Sequence, residues 1–434
     1  MAAGQVQIRS VTEVSLDTVL RKRDLISAIS RRLGLPVVNR PRHWVIAVTG
    51  TVFALWAAVL LLVAAGAGLI RQGNSFSLVN WELTGLTRFV LHRTTDGFLN
   101  HTASNAEIRQ YFSFQSRVRS ERSLLQAAPA QGDGSLQSAY VADVRTAARL
   151  RPRVQARFED AVAGAITSAG LVERLPLYSG ASFVWPPVAA GFRVPPHILI
   201  TSPRNRIELD DTKLLRSDLS QAEAERIERD AEKKGVSALV DQIGGLGAYP
   251  SIVDDEDSPA GLMQTIAHEW MHEYLIFHPL GARYGVNNEL TLINETVAEL
   301  VGRELGSAAF NSLGLPPAPP QASSIAPHRL DFNKTLHDLR LAVDVLLKDG
   351  KVDEAERRMG ETQQELAADG YTIRRINQAY FAFYGSYGNN AAASSPLGAK
   401  INAIRRLSPD LKSFVRRVQD IANPADLDRL LRAQ

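Results

Sequence analysis

The 434-residue sequence contains no cysteine. This absence excludes disulfide frameworks, cysteine-based zinc fingers, iron–sulfur clusters and thiol nucleophiles. Any transition metal must therefore be bound by histidine and carboxylate side chains, and the chain has nine histidines. Hydrophobic residues make up 45% of the chain and charged residues 22%. This is the composition of an ordinary globular protein, not of a disordered chain or a coiled-coil rod.

The sequence also lacks a strong net charge, which is only +3. Residues 1–42 hold eight Lys/Arg and three acidic residues, so the pI near 9.1 mainly reflects the N-terminal segment. A basic arm of this kind is only weak support for nucleic-acid binding. We therefore expect no nucleic-acid partner.

One long segment lacks charge altogether, the 27 residues from 44 to 70. At about 1.5 Å per residue, a helix of this length exceeds the roughly 20 residues needed to cross a bilayer. Residues 43–70 are therefore predicted to form a transmembrane helix that contacts the membrane. Basic residues are more numerous before this segment than after it, so the positive-inside rule places the N-terminus in the cytoplasm and the rest of the chain outside the cytoplasmic membrane.

A cleaved signal peptide is the alternative for this segment, because Ala65-Gly66-Ala67 is similar to a cleavage site. Signal peptides have a short basic start and an apolar core of about 7–15 residues. Both parts are longer here, which favours a retained anchor.

The remaining chain is predicted to have an α+β fold that is mostly helical. Apolar spacings of three and four predict amphipathic helices before residue 175, with a break at 127–138. Strands are expected at 182–215, including a hairpin of residues 197–201 and 206–209. The predicted organisation is a basic cytoplasmic arm (1–42), a transmembrane helix (43–70), a helical juxtamembrane region (71–175), a core with a small sheet (176–310) and a proline-rich linker with a helical C-terminal region (311–434).

The main chemical motif is His268-Glu269-x-x-His272. Ser258 and Pro259 predict the start of a helix that carries it. Two histidines four residues apart lie on one helix face and can both bind one tetrahedral Zn²⁺ ion. Glu269 lies about 100° around the helix from His268, which makes it the candidate general base. The alternative is a pair of hydrogen-bonded core histidines, but their spacing around a carboxylate on an apolar helix favours zinc.

There are two candidates for the third metal ligand. His278 follows His268 by ten residues, about 15 Å along a continuous helix, so it cannot reach the same ion without a break in the helix. Glu295 lies on a second predicted helix, 290–305, which Asn287 can cap and Gly306 can end. Glu295 and Glu299 share one face of this helix, and the residues alone also allow an exposed i,i+4 pair.

The segment 265–306 resembles the gluzincin metallopeptidases, in both their thermolysin-like and aminopeptidase-like branches, and residues 293–302 are most similar to predicted bacterial aminopeptidases. Together with residues 247–253 before the motif helix, the resemblance covers about 60 residues. It implies that residues 176–310 form a zincin-like catalytic core and that Glu295 is the third zinc ligand. It also implies that Asn294 and Glu299 hydrogen-bond the ligands, with Glu299 accepting from His268.

The resemblance also implies that an edge strand before the motif helix, at residues 247–253, pairs with an extended substrate. Aminopeptidases with a Gly-x-Met-Glu-Asn strand bind the substrate amino terminus with its glutamate, which is missing here. Asp254, Asp255 and Glu256 are nearby substitutes. The choice between endopeptidase and aminopeptidase therefore stays open.

A peptidase also needs a donor for the tetrahedral oxyanion. Tyr384 and Tyr387 are the predicted catalytic donors, in a segment that also contains Tyr380. An aromatic stripe of this kind is more typical of core packing than of a catalytic site. Tyr284 and His197 are weaker options.

These observations predict a membrane-anchored zinc metallopeptidase that hydrolyses a peptide or protein substrate, with a zinc-activated water and Glu269 as general base. The long helical flanks motivate an alternative, a membrane-tethered helical scaffold with a structural or degenerate metal site. No oligomeric state is predicted.

Overall fold

The computed structural model describes residues 76, 78, 81–82, 102–127, 134–174, 182–255, 258–316 and 328–432. All of them belong to one unit, Gly66–Gln434. The helices are α1 Asn105–Ala127, α2 Gly134–Ser168, α3 Gln221–Glu232, α4 Pro259–Leu275, α5 Pro279–Ala282, α6 Asn288–Ser312, α7 Phe332–Lys348, α8 Val352–Ala368, α9 Gln378–Tyr384, α10 Leu397–Leu407, α11 Leu411–Val418 and α12 Asp426–Arg432. The strands are β1 Glu173–Arg174, β2 Ser182–Phe183, β3 Ala190–Phe192, β4 His197–Pro203, β5 Asp211–Leu215, β6 Val236–Gln242, β7 Gly245–Leu246 and β8 Ser251–Val253.

The predicted fold class needs one correction, which concerns the membrane. The described residues are mostly helical with small sheets, but none of their helices is long and apolar enough to cross a bilayer. The described residues therefore have an α+β, mostly helical fold, and the predicted transmembrane helix is not found among them. The segment 43–70, on which that prediction rested, lies outside the described residues.

A three-stranded antiparallel sheet in the order β5-β4-β6 separates two apolar layers. Side chains alternate between the two faces of a strand. On one face Val240 packs with α3, and on the other Ile200 and Leu239 pack with α7 and α9. The predicted hairpin is therefore present, but its second strand is β5 and not residues 206–209, which form the connection.

A smaller mixed sheet lies beside the motif helix. Its order is β3-β8-β7, with β8 parallel to β3 and antiparallel to β7. The prediction of an edge strand at 247–253 is therefore wrong in its position, because β8 lies in the middle of the sheet. The edge strands are β3 and β7, and β7, Gly245–Leu246, is the one whose glycine lies against the side chains of Thr265 and Glu269 on α4.

Helices α4 and α6 form the centre of the main core, where they run antiparallel in close contact. A Cβ atom at Gly302 would lie 2.8 Å from the Cβ of His268, and one at Gly306 would lie 2.4 Å from the Cα of Gln264. Only glycine permits so close an approach at these two positions. Gly306 was predicted to end this helix, but α6 continues to Ser312.

The C-terminal helices pack in two groups. α7 and α8 form the predicted helical hairpin, whose break contains Gly350 at φ 74°. Together with α9 they cover one face of the antiparallel sheet. α10, α11 and α12 instead join the core around α4 and α6, through residues such as Ile401, Phe414 and Leu427. This arrangement brings the loop after α9 close to α6, where Gly388 N donates to Thr296 Oγ1 at 3.0 Å.

Candidate metal centre

The motif helix α4 begins where the sequence predicts. The side chain of Ser258 accepts a hydrogen bond from Gly261 N, and Pro259 occupies the first turn. Most residues of this helix are buried. Its polar motif residues are therefore held in place by apolar neighbours. His268, Glu269 and His272 all line one large cavity.

The second helix, α6, brings Glu295 to the two histidines. Its N-cap is Asn287, whose side chain accepts from Leu290 N. Glu295 Oε2 lies 3.5 Å from His268 Nε2 and 3.4 Å from His272 Nε2, and the two Nε2 atoms are 3.0 Å apart. A tetrahedral Zn²⁺ ion with bonds of about 2.0–2.1 Å separates its ligand atoms by about 3.3–3.4 Å. The geometry of these three residues therefore fits such an ion.

The two oxygens of Glu295 have different surroundings. Oε1 accepts a hydrogen bond of 2.6 Å from the hydroxyl of Tyr284. Oε2 is buried and has no hydrogen-bond partner among the described residues. A buried charged oxygen without a partner is costly unless a cation binds it. Oε2, the oxygen without a partner, is also the one that faces both histidines. The three residues are therefore a suitable site for a divalent metal.

Asn294 orients one of the histidines. Its Oδ1 lies 2.8 Å from His272 Nδ1, and its Nδ2 donates to Leu280 O at 3.4 Å. Because the amide nitrogen faces a carbonyl, the amide oxygen accepts from Nδ1–H, and Nε2 of His272 is left to face Glu295. Asn294 therefore occupies the place that the resemblance implies for it.

Glu299 does not make its predicted contact. Its Oε2 accepts from Asn389 Nδ2 at 3.1 Å, and its Oε1 lies 3.9 Å from Arg303 Nη1. No hydrogen bond joins it to His268 in the described part of the chain. Glu299 lines the cavity one turn beyond Glu295, where helix geometry directs it away from the histidines and toward the loop after α9.

His278 lies outside the metal-binding group. It precedes α5, and its ring packs on that of Tyr274 with a centroid separation of 4.6 Å. Although α4 ends at Leu275, the chain does not turn His278 back toward the other histidines. Among the described residues, His268, His272 and Glu295 are the group suited to a metal.

Glu269 lies between α4 and the edge strand β7. A Cβ atom at Gly245 would be 2.2 Å from Glu269 Oε1, and one at Gly247 would be 3.4 Å from Oε2. Burial raises the pKa of Glu269, while the nearby His268 and His272 act to lower it. No described residue donates a hydrogen bond to this carboxylate, which therefore faces the cavity as an available base.

His272 and Glu295 behave as an ion pair in the metal-free protein. Burial lowers the pKa of His272, but the Glu295 carboxylate outweighs burial and raises the pKa to about 9. Burial raises the pKa of Glu295. The nearby His272 and His268 outweigh burial and hold this pKa below its usual range. A divalent cation would take over the role of the proton on His272.

The predicted tyrosines differ in what they contact. Tyr384 lines the cavity, but its hydroxyl donates to Asp241 Oδ2 at 2.7 Å. Tyr387 also lines the cavity, and the carboxylate of Glu295 is the main cause that raises its pKa, followed by burial and by Glu269. Tyr387 therefore lies close enough to Glu295 and Glu269 to feel their charge, whereas the Tyr384 hydroxyl is bonded to Asp241.

Of the weaker tyrosine and histidine options, Tyr284 belongs to the site as a partner of Glu295. Its ring also lies 5.9 Å from that of His272. His197 does not line the cavity, and its Nδ1 lies 3.2 Å from Arg216 O. Sequence spacing gives no signal for the role of Tyr284, because it lies in the loop between α5 and α6.

The acidic substitutes proposed for substrate binding are not found in the cavity. Asp255 is buried, where its carboxylate accepts from Tyr111 and lies 3.1 Å from Arg151 Nε. Asp254 does not line the cavity either, and residue 256 is not among the described residues. An acidic residue far upstream, Glu82, lines the cavity instead.

The cavity has a volume of about 1220 Å³ and extends along α4 on both sides of the metal-binding group. Strand β7 and the loop after α9 form its opposite walls. Such a volume accommodates several residues of an extended peptide, since each residue adds about 3.3 Å.

Comparison of the chain with protein-family models, with curated proteins and with solved structures gave no match in any of the three. The site itself contains three side chains that could hold a metal, the Glu269 carboxylate without a hydrogen-bond donor among the described residues, and Tyr387 in the same cleft.

Proposed function

We propose that this protein is a zinc-dependent peptidase. The observation that carries the proposal is the convergence of His268, His272 and Glu295 from two helices, with a bare Glu295 oxygen between the two imidazoles. Structural zinc sites in proteins have four protein ligands, whereas catalytic sites keep one position open. Three protein ligands in a large cleft are the arrangement of a catalytic site.

When bound, a zinc ion supplies a water of lowered pKa, about 7, and polarises the carbonyl of the bond to be cleaved. Glu269 accepts the proton of the attacking water and delivers it to the leaving amine. Burial favours this role, because it raises the pKa of Glu269 toward the value of an efficient acid–base group. Tyr387 donates its phenolic proton in a hydrogen bond to the developing oxyanion.

The substrate main chain is held by β7. This strand has β8 on one side only, and its other edge lies along the cleft. An extended peptide can add to such an edge by main-chain hydrogen bonds. The glycines around β7 bring this edge close to Glu269, because no side chain separates them.

The test compares the full-length wild type with Glu269→Gln and His268→Ala, by metal analysis and by turnover of a peptide library. We expect stoichiometric zinc and chelator-sensitive cleavage for the wild type. Glu269→Gln should keep zinc but lose cleavage, and His268→Ala should lose both. Glu354→Gln and His337→Ala change exposed residues on α8 and α7, so they serve as matched controls with wild-type behaviour.

Two outcomes would contradict the proposal. Cleavage by Glu269→Gln at the wild-type rate would show that this carboxylate is not the base. Stoichiometric zinc without turnover of any peptide would instead favour a scaffold with a structural metal.

A further inference from the structure

The two ends of the cleft are chemically different. The cleft follows α4, from Gln264 near the N-terminal end of the helix to Phe277 just beyond its C-terminal end, with His268 and His272 between them. Because α6 runs antiparallel to α4, the later residues of α6 lie at the Gln264 end. The lining residues can therefore be assigned to one end or the other.

The end beyond the C-terminus of α4 is aromatic and exposed. Trp185 lies between Phe183 and Phe277, with ring centroids 6.1 Å and 5.9 Å away. Phe277 is 60% exposed and its neighbour Ile276 is 63% exposed. Together with Tyr284, these rings are all the exposed Phe, Trp and Tyr side chains of the described residues. An exposed cluster of this kind, continuous with the cleft, is a binding surface for apolar groups.

The opposite end carries a positive charge. Arg303 lines the cleft two turns after Glu295 on α6, and more than half of its side chain is exposed. Its nearest carboxylate, Glu299, is 3.9 Å away and is already hydrogen-bonded by Asn389. The guanidinium therefore keeps donors free for a carboxylate ligand.

The direction of the bound chain follows from β7. Gly245 lies over Glu269, and Gly247 lies over both Glu269 and His272, so β7 runs in the same direction as α4. Antiparallel pairing is the more stable arrangement for an added strand. A peptide paired in this way has its N-terminal part at the aromatic end and its C-terminal part at Arg303.

We infer that the substrates are peptides with a bulky apolar side chain on the N-terminal side of the cleaved bond and a carboxylate on the C-terminal side. This inference rests on the proposed peptidase function. Phe277 lies about 7.5 Å along the helix axis from His272, a distance of about two extended residues. Arg303 lies about 12 Å along the axis from Glu295, which places the carboxylate about three or four residues after the bond. The carboxylate belongs either to an acidic side chain or to the chain terminus.

The experiment uses fluorogenic peptides of equal length and the zinc-loaded full chain. One peptide has Phe before the bond and Asp after it, a second has them reversed, and a third ends in a free carboxylate with no Asp. Amidated forms of the first and third peptides separate the two sources of the carboxylate. We expect the first or third peptide to be cleaved at least about tenfold better, in kcat/KM, than the reversed peptide.

The variants Phe277→Ala and Arg303→Gln assign the preference to the two ends. Phe277→Ala should lower kcat/KM about tenfold for peptides with Phe before the bond, and hardly at all for matched Ala peptides. Arg303→Gln should lower kcat/KM about tenfold, and only for peptides with a carboxylate after the cleaved bond. Both residues are exposed, so the fold is expected to persist. Val345→Ala and Arg406→Gln are the matched exposed controls outside the cleft.

The possible failures are distinguishable. Cleavage of all peptides at equal rates, or a preference unaffected by both variants, overturns this inference and leaves the peptidase proposal intact. A preference for the reversed peptide overturns the direction of binding. No cleavage of any peptide by the zinc-loaded protein overturns the proposed function itself.

Discussion

At the residue scale, the chemistry depends on which carboxylates have partners and which do not. Glu295 gives one oxygen to Tyr284 and leaves the other bare between two imidazoles. Glu273 accepts from Ser251 at 2.6 Å, and burial raises its pKa well above its usual range. Glu269 has no hydrogen-bond donor among the described residues and faces the cleft. Three buried carboxylates therefore differ in role because their neighbours differ.

Tyr387→Phe tests the oxyanion donor. Removing the hydroxyl should lower kcat by about a hundredfold to a thousandfold with little change in KM, because the hydrogen bond forms mainly in the transition state. Tyr384→Phe is the matched control, since its hydroxyl is bonded to Asp241. Equal losses in both variants would contradict this assignment. Steady-state kinetics on a cleaved peptide provides the measurement.

At the element scale, three close approaches of backbone build the site. Strand β7 lies on α4 at Gly245, and α6 lies on α4 at Gly302 and Gly306. The approaches at Gly245 and Gly302 place Glu269 and His268 beside elements that are distant in sequence, and the approach at Gly306 packs α6 on Gln264. Glycine is needed at these positions because any Cβ atom would meet another residue at less than 3.0 Å.

Gly245→Ala should impair catalysis without loss of zinc. The new methyl group would meet the carboxylate of Glu269, the mobile end of a side chain, so the base should move while the fold persists. We expect at least a tenfold decrease in kcat. Gly244→Ala is the adjacent control, because its Cβ meets no atom within 4 Å. Wild-type kinetics for Gly245→Ala, with zinc bound, would be inconsistent with the position of Glu269.

Gly306→Ala should separate α4 from α6. Its Cβ would lie 2.4 Å from the backbone of Gln264, so the helices must move apart, at a cost of about 1–3 kcal/mol in the free energy of unfolding. Gly360→Ala, inside α8, meets nothing within 4 Å and should instead stabilise by up to about 1 kcal/mol. Denaturant titration measures both. An unchanged free energy of unfolding in Gly306→Ala would contradict the close packing of α4 on α6.

At the scale of the whole molecule, the cleft is bounded by parts of the chain that are far apart in sequence. The motif helix and α6 form its floor, β7 forms one wall, and the loop after α9 forms another. Glu82, from well upstream, also lines it. A metal bound by His268, His272 and Glu295 would join the two helices at the centre of the core, so metal binding is expected to increase stability.

The stability of the metal-free protein should depend on pH. The pKa of His272 is raised from its ordinary value of 6.5 to about 9 by Glu295, so the native state retains a proton that the unfolded chain releases. This contribution is fully present below about pH 6.5 and is lost as the pH rises to about 9. The melting temperature of the chelator-treated protein should fall across this range. With zinc bound the decrease should vanish, and a flat metal-free profile would contradict the ion pair.

Several local features could be predicted from the sequence, because they depend on residues close together in the chain. Helix spacing placed His268 and His272 on one face with Glu269 about 100° around from His268, and Ser258 and Asn287 marked the starts of the two helices by capping. The helix of Glu295 was predicted as well, although it ends later than expected. The meeting of Glu295 with the histidines was implied by resemblance alone, because spacing within one helix does not specify its neighbour.

Other features were decided only by tertiary structure. The partner of Glu299, the position of the edge strand beside α4 and the hydrogen bond of Tyr284 all depend on contacts between different elements of the fold. The local sequence therefore determined which side chains carry chemistry and on which helix face they lie. The packing of α6, β7 and the loop after α9 decided which of them meet, since burial and close approach select among many locally acceptable arrangements.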